Sequence, residues 1–275
     1  MEEGSDAHLG LDRGSGRQQV IPSRTLGEME GDMNSPFLGE FAGTLVLILL
    51  GDGVVANVVL KRSKAEGAGW MVVTTGWALA VLCGIFTAVA FGSADAHINP
   101  AVTLASAVAS GNFAKIVPYW SAQFLGAFAG ATLVWLFFLP HWKVTGDQGS
   151  KLAVFCTAPA IRHYPANLFC EIVGTTLLIV VIAAIGSRSL APVGLAPGMS
   201  PYFVSMLVWA IGLSLGGTTG YAINPARDFG PRVAHAVWPV AGKGSSDWTY
   251  APIPVLGPLL GAVLAALIVR AAHIA

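Results

Sequence analysis

The chain has 275 residues, 54% of them hydrophobic and only 11% charged, against about a quarter charged in an ordinary soluble domain. Its formal net charge is zero, which argues against a nucleic-acid partner held by a basic surface. The three cysteines, Cys83, Cys156 and Cys170, fall in no CxxC or Cys/His spacing, which excludes a disulfide framework and a cysteine metal centre.

Residues 1–34 are polar, and seven of the fifteen acidic residues lie before Met33. No apolar run follows the start, so this stretch reads as a disordered, dispensable tail and not as a signal peptide. Residues 35–275 read as one membrane domain. A membrane helix needs about 20 mostly apolar residues. Six stretches qualify, roughly 37–60, 70–91, 116–139, 166–186, 200–220 and 250–270. The first carries Glu40 and Asp52, and the fourth carries Glu171. Glycines recur inside them, as at Gly126 and Gly130, at spacings that let helix backbones approach closely.

Two further apolar stretches, roughly 100–110 and 225–236, are too short to span. Each follows an asparagine: Asn99-Pro100-Ala101 and Asn224-Pro225-Ala226. Asn caps a helix N-terminus, and Pro fits the first helical position, where its missing N–H costs nothing. The chain thus writes the same half-helix start twice.

The rest of the chain repeats as well. Glu40-Phe-Ala-Gly-Thr44 matches Glu171-Ile-Val-Gly-Thr175, and the distance from glutamate to motif asparagine is 59 residues in one half and 53 in the other. Each half, about 35–140 and 165–275, therefore holds span, span, half-helix, span. Three spans is an odd number, so the second half enters from the opposite side. The expected fold is an all-α membrane protein with six transmembrane helices and two half-helices in an inverted repeat. Its functional centre lies near the midplane, where the half-helices meet at their N-termini.

The side chains there suit a pore. Asn99 and Asn224 can cap with the side-chain oxygen and turn the amide NH2 towards a passing hydroxyl. Each helix N-terminus carries about half a positive charge, so two facing ends oppose cations and protons. Arg227 adds a full charge, which within a membrane is costly and usually functional. His97, just before the first motif, is a loop hydrogen-bonder or a pH gate. No nucleophile–base pair, phosphate loop or metal cluster is visible, so neither an enzyme nor a cofactor is expected.

The paired Asn-Pro-Ala motifs resemble the aquaporin superfamily over about residues 36–272. The string Asn224-Pro-Ala-Arg-Asp-Phe-Gly-Pro231 is similar to its aquaglyceroporin, or glycerol facilitator, branch. There an Asp follows the pore arginine, and Pro254 stands where water-selective members tend to carry aromatics. The resemblance implies a passive channel for glycerol, water and other small uncharged solutes, in a homotetramer with one pore per subunit. It implies a multi-pass protein of the plasma membrane with both termini cytoplasmic. It implies a selectivity filter of Trp77, Gly212, Tyr221 and Arg227, in which the rings face glycerol's carbons, Arg227 donates to its hydroxyls and Gly212 supplies width. It also implies that Glu40 and Glu171 bond loop backbone, and that Asp228 orients the Arg227 segment. From Trp77 to Asn99 the chain is two residues longer than that pattern, the extra residues falling within Phe91–Ala96. Charge bias opposes the implied orientation, with six Lys and Arg inside and nine outside.

Three other readings compete. A strict water channel would share the fold, but Gly212, Asp228 and Pro254 argue against it. A coupled secondary transporter would need an ionisable relay, for which Glu40, Asp52 and Glu171 are the candidates. A membrane enzyme finds no chemistry in the sequence.

Overall fold

The computed structural model describes residues 34–274. The tail expected over 1–34 falls, apart from Asn34, outside the described residues. Within them the chain forms α1 (Pro36–Val59), α2 (Trp70–Ala90), α3 (Pro100–Ser110), α4 (Ile116–Phe137), α5 (Leu139–Val144), α6 (Gln148–Phe155), α7 (Tyr164–Ile185), α8 (Met199–Leu215), α9 (Pro225–Val237) and α10 (Pro252–Ala271).

Local chemistry sets the helix starts. Ser35 accepts a hydrogen bond from the Leu38 N–H at 3.1 Å, with Pro36 opening α1. Asn99 and Asn224 cap α3 and α9 in the same way, each followed by proline. Helices α1, α2, α4, α7 and α10 have 20 to 24 residues, enough to cross a bilayer. Helix α3 has 11 residues and rises about 16 Å, roughly half the hydrocarbon thickness.

Two features differ from the expectation. The fifth span, α8, has 17 residues and stops at Leu215 instead of running to 220. The chain turns at Gly216 and Gly217, and Gly220 takes φ +80°, so that Tyr221 is delivered back into the bundle. The loop after α4 is also helical, as α5 and α6. Pro140 starts α5, Asp147 caps α6, and the buried rings of Trp142 and Phe155 stack at 5.6 Å.

The packing obeys the repeat. Helix α1 packs on α4, and α7 on α10. Each half-helix lies against the last span of the opposite repeat, α3 against α10 and α9 against α4. The close approaches use matched glycines. A Cβ on Gly126 or Gly130 of α4 would sit 2.3 Å and 2.6 Å from the Phe41 and Leu45 carbonyl oxygens of α1. One on Gly257 or Gly261 of α10 would sit 2.5 Å from Glu171 Cβ and 2.6 Å from the Ile172 carbonyl oxygen of α7. Backbones this close gain van der Waals contact that lipid cannot replace. The outer faces carry large exposed apolar side chains such as Leu79, Val117, Phe137, Phe169 and Leu256, as a bilayer-facing surface requires. Cys83, Cys156 and Cys170 are all free thiols.

Candidate pore and selectivity site

The two loops that enter the half-helices are strained and are held by buried glutamates. Ala96 and Ile98 in the first, and Tyr221 and Ile223 in the second, have φ between 39° and 42°. Such backbone costs about 1–3 kcal/mol per residue unless its surroundings impose it. Glu40 imposes it on the first loop. Its carboxylate accepts from the His97 N–H (2.8 Å), the Ile98 N–H (2.7 Å), the Ser93 hydroxyl (2.7 Å) and the Gln123 amide (2.7 Å). Glu171 does the same for the second, accepting from Ala222 N–H (3.0 Å), Ile223 N–H (2.8 Å) and the Thr219 hydroxyl (2.7 Å). Both glutamates are fully buried, and these donors replace the water they have lost. Ser93 lies in the segment Phe91–Ala96, so that segment supplies one of Glu40's partners.

The two asparagines then join the loops. Asn99 Oδ1 caps α3 by accepting from Ala101 N–H at 2.8 Å, and Asn224 Oδ1 caps α9 by accepting from Ala226 and Arg227 N–H. Each amide nitrogen donates across the repeat. Asn99 Nδ2 reaches the Ile223 carbonyl oxygen and Asn224 Nδ2 the Ile98 carbonyl oxygen, both at 2.9 Å. An amide NH2 has two donors, so one N–H of each asparagine is spent on this latch and one remains.

Two cavities meet in the bundle. One of about 550 Å³ is lined by both asparagines, by His97 and by the loop residues Ile98 and Ile223. A second of about 300 Å³ is lined by Trp70, Cys156 and Thr157. Trp77, Tyr221 and Arg227 line both, so they stand where the cavities join. All three are at most 8% exposed. The Arg227 guanidinium lies over the Trp77 ring, 4.0 Å from its centroid, a cation–π contact. Trp77 therefore gives one ring face to the arginine and offers a solute only what Arg227 leaves uncovered. Arg227 Nη1 and the Tyr221 hydroxyl have no hydrogen-bond partner among the described residues. Both atoms are buried from solvent, so the junction's polar surface is what remains of the Arg227 guanidinium.

Gly212 backs the Tyr221 ring. It lines neither cavity. A Cβ on it would be 2.9 Å from Tyr221 Cζ and 3.1 Å from Thr74 Cγ2. Its carbonyl accepts from the Trp70 indole at 3.0 Å, and Trp70 packs edge-on to Tyr221 at 5.9 Å. With no side chain, Gly212 leaves that space to the Tyr221 ring.

Asp228 is fully buried and lines neither cavity. It accepts from Arg232 Nε at 2.8 Å and from the Thr157 N–H and hydroxyl at 2.8 and 2.6 Å. It ties α9 to the segment that follows α6. His97 is held on three sides, by Glu40 at its N–H, by Thr103 at Nδ1 (3.1 Å) and by Asp95 at Nε2 (3.3 Å). Asp95 also accepts from Lys115 and Tyr119. Sequence reasoning missed Gln123, Arg232, Trp70 and the partner of Arg227. That partner is Asp52, whose Oδ1 lies 3.5 Å from Arg227 Nη1. An acidic residue in the middle of an apolar span, the second there after Glu40 and without a counterpart in the other repeat's span, was the available signal.

A helical membrane bundle whose half-helices are latched nose to nose, with an aromatic–arginine junction between two cavities, defines a transmembrane pore protein of aquaporin-like fold. The chain belongs to the major intrinsic protein family, whose profile matches residues 30–269. This is a family of channels and facilitators rather than of enzymes. The chain is 54% identical to the probable glycerol uptake facilitator protein of Thermotoga maritima, over 84% of this chain and 97% of that one. It is 50% identical to glycerol uptake facilitator protein 3 of Lactiplantibacillus plantarum, over 87% and 98%. The X-ray structure of the aquaglyceroporin from Plasmodium falciparum matches with a TM-score of 0.71 at 28% identity, over 85% of this chain and 93% of that one.

Proposed function

We propose that this protein is a passive channel for glycerol that also passes water and other small uncharged solutes and excludes ions and protons. One observation carries the reading: the junction of Trp77, Tyr221 and Arg227. Glycerol has a carbon face and a hydroxyl face. The rings suit the first. The guanidinium of Arg227, which lines both cavities, suits the second. The remaining N–H of Asn99 and of Asn224 continues the donor path beyond it. The names of the facilitators at 54% and 50% identity support the same solute. Gly212 supports it over strict water selectivity, because it leaves room behind Tyr221.

The carrier reading loses its relay. Glu40 and Glu171 are saturated by donors, and Asp52 sits beside Arg227. None is placed to load a proton from either side in turn. We further propose a homotetramer in the plasma membrane with cytoplasmic termini. Five of the nine cations this places outside are tied into loops. Lys61 pairs with Glu66 and Arg162 with Asp247, while Arg232, Lys151 and Lys243 donate to backbone carbonyls. Their number outside thus follows the loop architecture.

Stopped-flow light scattering on proteoliposomes, comparing water and glycerol gradients, tests the reading. Both fluxes should exceed those of empty vesicles and be indifferent to dissipated proton and sodium gradients. Glycerol accumulation above the outside concentration would favour a carrier.

A further inference from the structure

We propose that Trp70 is a specificity-determining residue of the pore: it props the Tyr221 ring at the junction of the two cavities and so limits the size of polyol that passes. The proposal rests on the channel reading above and deepens it.

Tyr221 carries a ring that no directed bond holds. Its backbone is fixed, because Gly220 turns at φ +80° and Glu171 accepts from the neighbouring Ala222 N–H. Its hydroxyl has no hydrogen-bond partner among the described residues. Packing therefore decides where the ring stands. On one side lies the glycine face of α8. A Cβ on Gly212 would be 2.9 Å from Tyr221 Cζ, and one on Gly216 would be 2.5 Å from Tyr221 Cδ1. On another side stands Trp70, edge-on, with ring centroids 5.9 Å apart and planes at 80°. The same Cβ on Gly216 would be 2.8 Å from Trp70 Cζ2, so both rings rest on one glycine.

Trp70, unlike Tyr221, is held by a directed bond. It opens α2, and its indole N–H donates to the Gly212 carbonyl at 3.0 Å. That carbonyl belongs to the last turn of α8, which ends at Leu215. The last four carbonyls of a helix lack intrahelical partners, and Gly212 is the first of those four. The early end of α8 thus supplies the acceptor that fixes Trp70. A tryptophan that only marks the membrane interface turns its N–H to the wet side. This one turns it to a backbone oxygen of the opposite repeat.

Trp70 lines the second cavity and not the first, whereas Tyr221 lines both. The indole thus fills the space on the second-cavity side into which the Tyr221 ring would otherwise swing. With the indole in place, the ring stays in the wall that it shares with Trp77 and Arg227. Without it, the ring gains room and the passage between the cavities widens. Water and glycerol gain little from that width. Erythritol, one carbon longer than glycerol, gains most.

The test measures water, glycerol and erythritol permeability of the full-length protein in proteoliposomes by stopped-flow light scattering. Glycerol flux in the unmodified protein is the control: its absence sinks the channel reading independently of Trp70. Trp70→Leu removes both the ring and the donor. Its erythritol-to-glycerol ratio should rise by about tenfold, the low end of the discrimination that one carbon gives in a fitted apolar site. Trp70→Phe keeps a ring against Tyr221 but lacks the donor, so its ratio should rise less; it also serves should the Leu variant fail to insert. Tyr221→Ala should raise the ratio by itself. Adding Trp70→Leu to it should raise the ratio no further, since no ring is left to prop, and a purely structural role for Trp70 would not give that result. An unchanged ratio in both Trp70 variants would overturn the proposal. So would a common fall of all three permeabilities per folded molecule, or a further rise in the double variant, which would make Trp70 a wall that solutes touch directly.

Discussion

Asn99 donates through Nδ2 to the backbone oxygen of Ile223 at 2.9 Å, and the mirror bond runs from Asn224 to Ile98. The residue that starts each half-helix thus also fixes the loop of the other. The two repeats cannot relax separately, because each cap is also a latch.

Asn99→Asp separates these two jobs. The carboxylate can still accept from Ala101, so the cap survives. It cannot donate to Ile223, and it turns a negative oxygen towards that carbonyl. We expect a loss of about 1–3 kcal/mol, the cost of a buried acceptor left without its donor. Cation conductance should rise, because a negative charge now sits between the two positive helix ends. Thermal melting in detergent and planar-bilayer recording read the two effects, and a variant that melts and conducts like the original would remove the latch from the argument.

Gly212→His tests width. Its Cβ would meet Tyr221 at 2.9 Å, and the imidazole would drive the ring towards the lumen. Glycerol permeability should fall by much more than water permeability. Adding Tyr221→Ala should restore part of the glycerol flux, since the obstruction is the displaced tyrosine. If both permeabilities fall together with the folded yield, Gly212 is a packing residue only.

Arg227→Val should do two things. It removes one of the positive barriers while leaving the α3 and α9 termini, so a cation or proton leak should appear. It also strands Asp52 without its cation, and breaking a buried pair in this way costs about 3–5 kcal/mol. The double variant D52V/R227V should recover much of that stability without closing the leak. Stability measurements and proton-flux assays on the two variants separate the effects, and equal stability of single and double variants would mean that Asp52 and Arg227 are not coupled.

Glu40→Gln and Glu171→Gln should act alike, because each glutamate bonds two loop N–H groups and a hydroxyl. Each substitution weakens charge-assisted bonds worth about 1.5–3 kcal/mol apiece. Both fluxes should drop as the loops at Ile98 and Ile223 relax. Hydrogen exchange at those amides is the direct measurement, and unchanged protection in either variant would show that the strain is held by something else.

The spans, the half-helices, the inverted repeat and the paired asparagines were all readable from the chain. They depend on local quantities: apolar length, a cap followed by proline, and recurrence of one motif at matched distances. Glu40 and Glu171 were legible because they recur. The short α8 was not, since Leu215 to Gly220 carries no charge to mark an end, although its three glycines and two threonines form the turn that returns Tyr221 to the bundle. Helices α5 and α6 were missed because neither is long or periodic enough to stand out. The site divides in the same way. The sequence by itself determined which residues approach the midplane. Only the tertiary structure decided that Gly212 backs Tyr221, that Arg227 covers Trp77, and that Asp52 of the first repeat faces Arg227 of the second. The first needs the turn after α8 that brings Tyr221 back over Gly212, nine residues earlier. The other two exist because the two repeats pack against each other in opposite directions, a juxtaposition that no local pattern encodes.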